Sequence, residues 1–162
     1  MRDTLISNAQ SEIGTTETPE GSNIVKYNDW YYEGRDAERY KRNPAPYAWC
    51  GTFVAYIYHF SNIYLEDNLH RCIGYVPSAQ NWLRANNKQT KDPKKGDIVI
   101  FDWNRDGFEE HIGIFKEWSG DYAICIEGNT SKAGHQSNGG MVCEKKRHIS
   151  LIEGFYNVID ES

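Results

Sequence analysis

The spacing of hydrophobic residues changes about halfway along the chain. Before residue 90, apolar positions recur at three- and four-residue intervals, the period of one helix face. After residue 95, short β-branched runs alternate with turn residues, which is typical of strands. Helices first and a meander of strands second predict an α+β fold, with N-terminal helices packed on a central antiparallel sheet. No repeat or low-complexity linker interrupts the chain, so we predict a single domain over residues 1–162.

The first half is predicted to contain four helices. Asp3 can cap the first helix and Gly14 can end it, while Ser78 can cap the last. Two segments between them, 34–43 and 61–76, show no periodicity and are predicted to be irregular, the first as an exposed excursion. The predicted helices cover residues 3–13, 24–32, 50–60 and 78–86.

The second half is predicted to contain five strands. The run from Ile98 to Phe101 gives the clearest signal because it is β-branched and continuously apolar. Turn residues at 119–121 join the second and third strands into a hairpin. The predicted strands cover residues 98–101, 111–118, 122–127, 140–146 and 153–159.

Cys50 is the best candidate for a reactive group. Pro44 and Pro46 favour an extended approach, and the apolar run that ends at Phe60 has helical spacing. A thiol in the first turn of a helix lies at the positive end of the helix dipole, which favours the thiolate and makes Cys50 a candidate nucleophile. The same pattern is equally compatible with Cys50 as a small buried apolar residue.

A cysteine nucleophile needs a base nearby and a third group that orients this base. His59 follows Cys50 on the same predicted helix but lies about 13 Å further along its axis, too far to reach the thiol. His111 begins a predicted strand, where the sheet holds its side chain, and Gly113 leaves room for a close neighbour. His111 is therefore the candidate base, although a histidine at a strand start is also a common structural feature.

The third group is sought on the strand that follows. This strand is apolar until it ends in Glu127, Gly128 and Asn129. In a hairpin closed at residues 119–121, His111 pairs near Asn129, and residues two apart point to the same face. Glu127 or Asn129 can then accept the imidazole N–H. The alternative is an ordinary turn at the end of a strand.

Composition narrows the possible partners. The formal net charge is −5 and no basic cluster resembles a nucleic-acid surface, so we expect no nucleic-acid partner. The basic run 145–148 is interpreted as the exposed part of a strand.

No window approaches the ~18 apolar residues of a membrane span, and no signal-peptide run is present, so we expect synthesis in the cytoplasm. The cysteines form no CxxC pair, which favours reduced thiols.

A possible calcium site lies in the loop after the first predicted strand. Asp102, Asn104 and Asp106, followed by a glycine, match the opening of a calcium-binding loop. The twelfth position is Gly113 instead of glutamate, so the segment is not an EF-hand. The alternative is a polar hairpin connection.

Four motifs, taken in order, resemble the signature of CHAP domains, the cysteine- and histidine-dependent amidohydrolases/peptidases that hydrolyse peptidoglycan. Segment 13–23 is also similar to the segment that often precedes the nucleophile in lysin-type members. The resemblance covers about residues 1–157, and its specificity lies in the order of the motifs. They are YAWCGTFV at 47–54, KGDIVIF at 95–101, HIGI at 111–114 and IEGNT at 126–130.

The resemblance implies a papain-like fold and assigns roles to the candidate residues. Cys50 would be the nucleophile and His111 the general base and acid, with Glu127 and Asn129 as its polar partners. The partner would be bacterial peptidoglycan, cleaved at an amide bond by an N-acetylmuramoyl-L-alanine amidase or an endopeptidase. We expect a phage or prophage lysin that acts on the bacterial wall as a monomer without a required cofactor.

Aromatic residues before the cysteine suggest a substrate groove. We expect Tyr47 and Trp49 to form its walls, and the Tyr47 hydroxyl to assist the Cys50 backbone N–H in holding an oxyanion. Aromatic residues at these positions also suit a core. Two other functions remain open: a papain-like cysteine peptidase with a non-wall substrate, and a catalytically silent wall-binding or virion domain.

Overall fold

Six helices and one six-stranded antiparallel sheet form the described part of the protein, which confirms the predicted α+β class. The structure is a computed structural model and describes residues 1–107, 111–132 and 139–161. The helices are α1 (Arg2–Ser11), α2 (Lys26–Tyr32), α3 (Ala37–Arg42), α4 (Cys50–Phe60), α5 (Asp67–Cys72) and α6 (Val76–Ala85). The strands are β1 (Gln89–Thr90), β2 (Ile98–Phe101), β3 (His111–Ser119), β4 (Tyr122–Thr130), β5 (Met141–His148) and β6 (Ile152–Tyr156).

The strand order is β1-β6-β2-β3-β4-β5, and each pair of neighbours is antiparallel. The predicted hairpin is confirmed, because Ser119 of β3 pairs with Tyr122 of β4. β1 was not predicted, since two residues at a sheet edge carry no periodic signal. The sheet therefore places the start of β3, where His111 lies, beside the last residue of β2.

Two segments predicted to be irregular contain short helices. Residues 34–43 include α3, and residues 61–76 include α5, so both predictions are wrong at these positions. Each helix has six residues and buries a single side chain, Tyr40 in α3 and Leu69 in α5. Such short helices show no repeat of apolar positions, and packing of the one buried residue stabilises them instead. None of the helices in the described ranges is long and apolar enough to cross a membrane.

Helix α4 lies at the centre of the larger hydrophobic core. Its buried residues include Phe53, Val54 and Ile57, and the helix packs against α1, α2, β3 and β4. Ile98 and Ile100 of β2 belong to this core, whereas the intervening Val99 belongs to a second apolar cluster. Because side chains alternate along a strand, the two clusters lie on opposite faces of the sheet.

Two glycines allow the first turn of α4 to pack closely against its neighbours. A Cβ on Gly128 of β4 would lie 2.6 Å from Cβ of Phe53. A Cβ on Gly51 would lie 1.8 Å from the carbonyl oxygen of Ile73, just after α5. Neither position has space for a side chain, so these contacts fix the start of α4, and with it Cys50, between β4 and the chain after α5.

Candidate active site

Cys50 is the first residue of α4, as predicted, and only 4% of its surface is exposed. The side chain of the N-cap residue, Trp49, makes no capping hydrogen bond. The first backbone N–H groups of a helix have no partner within the helix and carry partial positive charge. The thiol therefore lies at a buried helix start that can stabilise negative charge.

His111 is the first residue of β3 and is fully buried. It pairs with Phe101 at the end of β2. The Phe101 and Trp103 rings lie 5.7 Å and 5.6 Å from the imidazole, measured between centroids. Aromatic packing on a paired strand thus restricts the rotation of the imidazole.

Glu127 contacts the Nε2 edge of this imidazole. The distance from His111 Nε2 to Glu127 Oε1 is 2.8 Å, and both side chains are fully buried. Gly113 makes the contact possible, because a Cβ at this position would lie 2.8 Å from Glu127 Cγ. The close neighbour expected for Gly113 from the sequence is therefore the Glu127 side chain.

Arg147 is a component of the site that the sequence did not identify. Its Nε donates to Glu127 Oε2 at 2.9 Å and its Nη2 donates to Glu127 Oε1 at 2.6 Å. The guanidinium also lies 4.6 Å from the centre of the Trp103 ring. Arg147 and Lys145 are buried, so the interpretation of run 145–148 as an exposed part of a strand is wrong for these two residues. The available signal was weak: a buried carboxylate requires a cationic partner, and β5 pairs with β4.

Asn129 lies near Glu127 in sequence but has different contacts. It has a positive φ of 56°, and the β4–β5 register shifts between Glu127 and Thr130. Its Oδ1 accepts a hydrogen bond from Gly140 N at 3.3 Å, while Glu127 occupies His111 Nε2. The regular alternation that predicted a common face for Glu127 and Asn129 is therefore interrupted, and Glu127 is the residue that contacts the histidine.

The charges in this cluster support one another. Burial disfavours the charged form of His111, but the interactions of the ring with Cys50 and Glu127 outweigh it and raise the pKa of His111 to about 9. Burial also opposes ionisation of Glu127, yet hydrogen bonds from Arg147 and His111 lower its pKa. At neutral pH the cluster holds an imidazolium, a carboxylate and a guanidinium. These three groups together carry a net positive charge close to the Cys50 thiol.

Cys50 lies close to the His111 ring without a standard hydrogen bond. Nδ1 of His111 is buried and has no hydrogen-bond partner in the described part of the chain. Cys50 is nevertheless one of the two side chains that raise the pKa of His111, which requires a short separation. Contacts between nucleophile and base are often looser in ligand-free enzymes than in complexes. Nδ1 is thus the ring atom available to the thiol.

The two aromatic residues before Cys50 occupy different environments. Trp49 is fully buried, stacks on Tyr27 with 5.4 Å between ring centroids, and donates from Nε1 to Glu17 Oε2 at 3.1 Å. A ring with no exposed surface cannot form a groove wall in this conformation, so Trp49 belongs to the core. Tyr47 is half-buried and lines a cavity, but its hydroxyl lies 3.4 Å from Asp36 Oδ2.

The loop considered for calcium is held partly by its own side chains. Asn104 Nδ2 donates to Asp106 Oδ2 at 2.9 Å, and Gly107 N donates to Asp102 Oδ2 at 2.9 Å. Asp102 Oδ1 is buried and has no partner among the residues with described positions. Within those same residues, no group of three or more His, Cys, Asp or Glu side chains is arranged to hold a metal. Calcium binding therefore stays a prediction.

These features define a class of site: a cysteine at a helix start, close to a strand-borne histidine that a buried carboxylate orients. The family model of the CHAP domain matches residues 41–129, more than half of the chain, and includes Cys50, His111, Glu127 and Asn129. The protein therefore belongs to the CHAP domain family, and its α+β architecture is that of a papain-like CHAP domain. Membership of this family supports a hydrolase activity of the amidase or peptidase type. A search of curated proteins finds no match.

Proposed function

We propose that this protein is a cysteine-dependent peptidoglycan hydrolase that cleaves an amide bond in the peptide part of the bacterial wall. The observation that carries the proposal is the state of His111. Its Nε2 is held by Glu127, while its Nδ1 is buried, without a hydrogen bond to the described residues, and close to Cys50. This is the arrangement that a thiol nucleophile requires of its base.

In the first step, the Cys50 proton resides on His111. The raised pKa of His111 supports an imidazolium at neutral pH, which can hold the proton taken from the thiol. The thiolate attacks the amide carbonyl carbon, forming a C–S bond and a tetrahedral oxyanion. The Cys50 backbone N–H, at the uncapped start of α4, is the donor that we propose for the oxyanion.

In the following steps, His111 donates its Nδ1 proton to the leaving amine as the C–N bond breaks. A thioester remains on Cys50. Water then attacks the thioester while His111 accepts a proton from this water, and the released thiolate completes the cycle. The Tyr47 hydroxyl is not needed in this scheme, because it is oriented toward Asp36.

Glu127 and Arg147 act as positioning residues in this scheme. Glu127 fixes the ring so that Nδ1 stays available, and it stabilises the imidazolium. Arg147 holds the carboxylate through two hydrogen bonds and keeps it ionised. We propose a different positioning role for Asn129, which links the end of β4 to Gly140, the residue just before β5.

A phage or prophage lysin is the biological setting that we propose. Its support is the similarity of segment 13–23 to the segment that precedes the nucleophile in lysin-type members. Within this segment, Glu17 accepts hydrogen bonds from the backbone N–H groups of Gly21 and Asn23 and from Trp49 Nε1. The segment thereby supports the residue immediately before the nucleophile.

Zymography on purified bacterial walls tests the activity. We expect clearing by the wild-type protein and none by Cys50→Ala or by the thiol-alkylated protein, with unchanged circular dichroism. Cys125→Ala is the matched control, because Cys125 lies in the second apolar cluster, and this variant should retain clearing. Wild-type clearing by Cys50→Ala would contradict the cysteine mechanism.

The same assay separates the alternative functions. Failure of the wild-type protein to clear walls while it hydrolyses other peptides would favour a papain-like peptidase. Failure on both substrates would favour a silent binding domain.

Mass spectrometry of the released fragments identifies the bond. A new terminus at the first alanine, with a free lactyl carboxylate on the sugar, indicates an amidase. New termini inside the peptide indicate an endopeptidase.

The calcium prediction is tested on the same protein by calorimetric titration. No heat and no change in Tm on addition of calcium would contradict binding by Asp102, Asn104 and Asp106.

A further inference from the structure

A cavity of about 610 Å³ lies beside the chain that precedes Cys50, and the proposed reaction steps do not use it. Its walls combine tyrosine rings with two guanidinium groups. The principal side chains are Tyr31, Tyr32, Arg35, Tyr47, Arg71 and Tyr75. Neither Cys50 nor His111 lines this cavity, so it is a separate feature next to the reacting groups.

The cavity lies against the start of α4. Tyr47, which precedes Cys50 by three residues, forms part of its wall, and so does Gly74. The chain just before Gly74 packs on α4, because Gly51 accommodates the Ile73 carbonyl oxygen in the space that a Cβ would occupy. Gly74 Cα would also lie 3.4 Å from this Cβ, so the wall of the cavity reaches the residue that follows Cys50.

The two arginines of the cavity have no acidic partner in the described ranges. The arginines that do form ion pairs there are Arg2, Arg84 and Arg147. Arg35 lies 4.9 Å from the centre of the Tyr31 ring, a cation–π contact that holds the guanidinium at the wall without neutralising it. Two arginines and one aspartate, Asp36, give the lining a formal charge of +1 in a chain whose formal charge is −5.

The tyrosine walls are preorganised by contacts with one another. Tyr32 packs edge-to-face against Tyr31 and Tyr47, with ring centroids 4.9 Å and 4.8 Å apart. The Tyr31 hydroxyl donates to the His70 carbonyl at 2.6 Å, which fixes that ring. Rigid aromatic faces beside cationic groups suit a ligand with both apolar and anionic parts.

We propose that this cavity is a subsite for a free carboxylate of the peptidoglycan stem peptide, contacted by Arg35 and Arg71. The stem peptide carries free carboxylates along a chain of small apolar residues, which matches guanidinium groups set among tyrosines. The inference rests on the proposed function and adds a substrate feature to it. Arg35 and Arg71 would determine specificity without taking part in bond cleavage.

Binding to the inactive Cys50→Ala protein tests the subsite directly. The probes are a synthetic stem peptide with γ-linked D-glutamate and the same peptide with every carboxyl group amidated. We expect the free-acid peptide to bind at least about 10-fold more tightly, in line with a charge-assisted contact. Arg35→Gln and Arg71→Gln should each remove most of this preference. Arg42→Gln is the matched control, because Arg42 is exposed on α3 outside this cavity, and it should retain the preference.

A competition arm identifies the source of the anion. Inorganic phosphate represents the phosphate groups of other wall polymers. Weak competition by phosphate, with a retained preference for the free-acid peptide, supports the carboxylate assignment. Displacement of the peptide by phosphate at lower concentration than by free-acid peptide overturns it.

An activity arm separates this inference from the proposed function. In the active protein, Arg35→Gln and Arg71→Gln should raise KM for walls about 10-fold with little change in kcat. Full wall lysis with unchanged KM in both variants would overturn the subsite and leave the proposed function intact. Absence of lysis by the wild-type protein would contradict the proposed function, whereas peptide binding would still report on the cavity.

Discussion

Two buried carboxylates, Asp97 and Glu127, each pair with an arginine, yet their pKa values shift in opposite directions. Burial raises the pKa of Asp97, and the hydrogen bonds that it accepts from Lys94 N and Arg2 do not compensate. Burial acts in the same direction on Glu127, but Arg147 and His111 outweigh it and lower the pKa. Both side chains are almost completely buried, so exposure does not explain the difference.

The number of cations per carboxylate explains it. Arg2 is shared, because its Nη1 donates to Asp97 Oδ1 at 2.7 Å while its Nε donates to Glu161 Oε1 at 2.8 Å. Glu127 instead lies between two cationic groups and accepts hydrogen bonds from both of them. A carboxylate that shares one cation is a structural link between the chain termini and the sheet. A carboxylate between two cations can hold a histidine in its charged form.

Glu127→Gln should have the largest effect on activity. The amide keeps the size of the side chain but removes the charge that stabilises the imidazolium, so we expect kcat/KM on walls to fall at least about 100-fold. Asp97→Asn is the matched change in the other carboxylate and should lower kcat/KM only in proportion to any loss of folded protein. Equal losses of kcat/KM in the two variants, both fully folded, would contradict a specific role of Glu127 in activity.

Arg147→Met should have the largest effect on stability. It leaves Glu127 buried with His111 as its remaining cationic partner, and breaking a buried ion pair from one side costs about 3–5 kcal/mol. Urea unfolding of the variant and the wild type measures the difference. A loss below about 1 kcal/mol would show that Arg147 does not support the buried carboxylate.

Arg2→Met should cost less, about 1–3 kcal/mol in the same unfolding measurement. Asp97 keeps its hydrogen bond from Lys94 N at 2.9 Å, and its raised pKa allows it to become neutral at modest cost. The pH profile of the variant's activity should match that of the wild type. A larger loss of stability than in Arg147→Met would reverse the comparison.

The smallest expected effect is on the pH dependence of activity, which should differ between variants of the two carboxylates. The folded-state pKa of His111 is about 9, above its ordinary value of 6.5, so its contribution to stability is complete below pH 6.5 and is lost as pH rises through 9. We expect kcat/KM to fall in the same alkaline range. In Glu127→Gln, kcat/KM should begin to fall at a lower pH, because a group that raises the pKa of His111 is removed. In Asp97→Asn, the fall should occur at the same pH as in the wild type.

The elements predicted correctly are those with an apolar pattern of their own, either a helical repeat or a continuous β-branched run. Helix α4 and strand β2 follow directly from their apolar patterns. α3 and α5 were missed because each buries a single residue, and β1 because its two residues show no apolar pattern. The order of motifs identified Cys50, His111 and Glu127 as candidates, and the structure brings these three residues together.

Residues that depend on distant partners were not predictable in the same way. Arg147 lies in a basic run with no apolar pattern, and its partner Glu127 is 20 residues earlier on the neighbouring strand. Trp49 gives the same signal whether it lines a groove or fills a core. Its environment is decided by the Glu17 carboxylate, 32 residues away, and by stacking on Tyr27.

The sequence alone therefore determined the fold class, the helix start that carries Cys50 and the strand that carries His111, because periodicity and motif order are local properties. The tertiary structure alone decided that Glu127, and not Asn129, contacts His111 and that Arg147 pairs with Glu127. It also decided that two arginines line one cavity with several tyrosines. Each of these depends on which side chains meet across the sheet or between helices. Strand register and close packing at glycine, as at Gly113 against Glu127, settle those contacts.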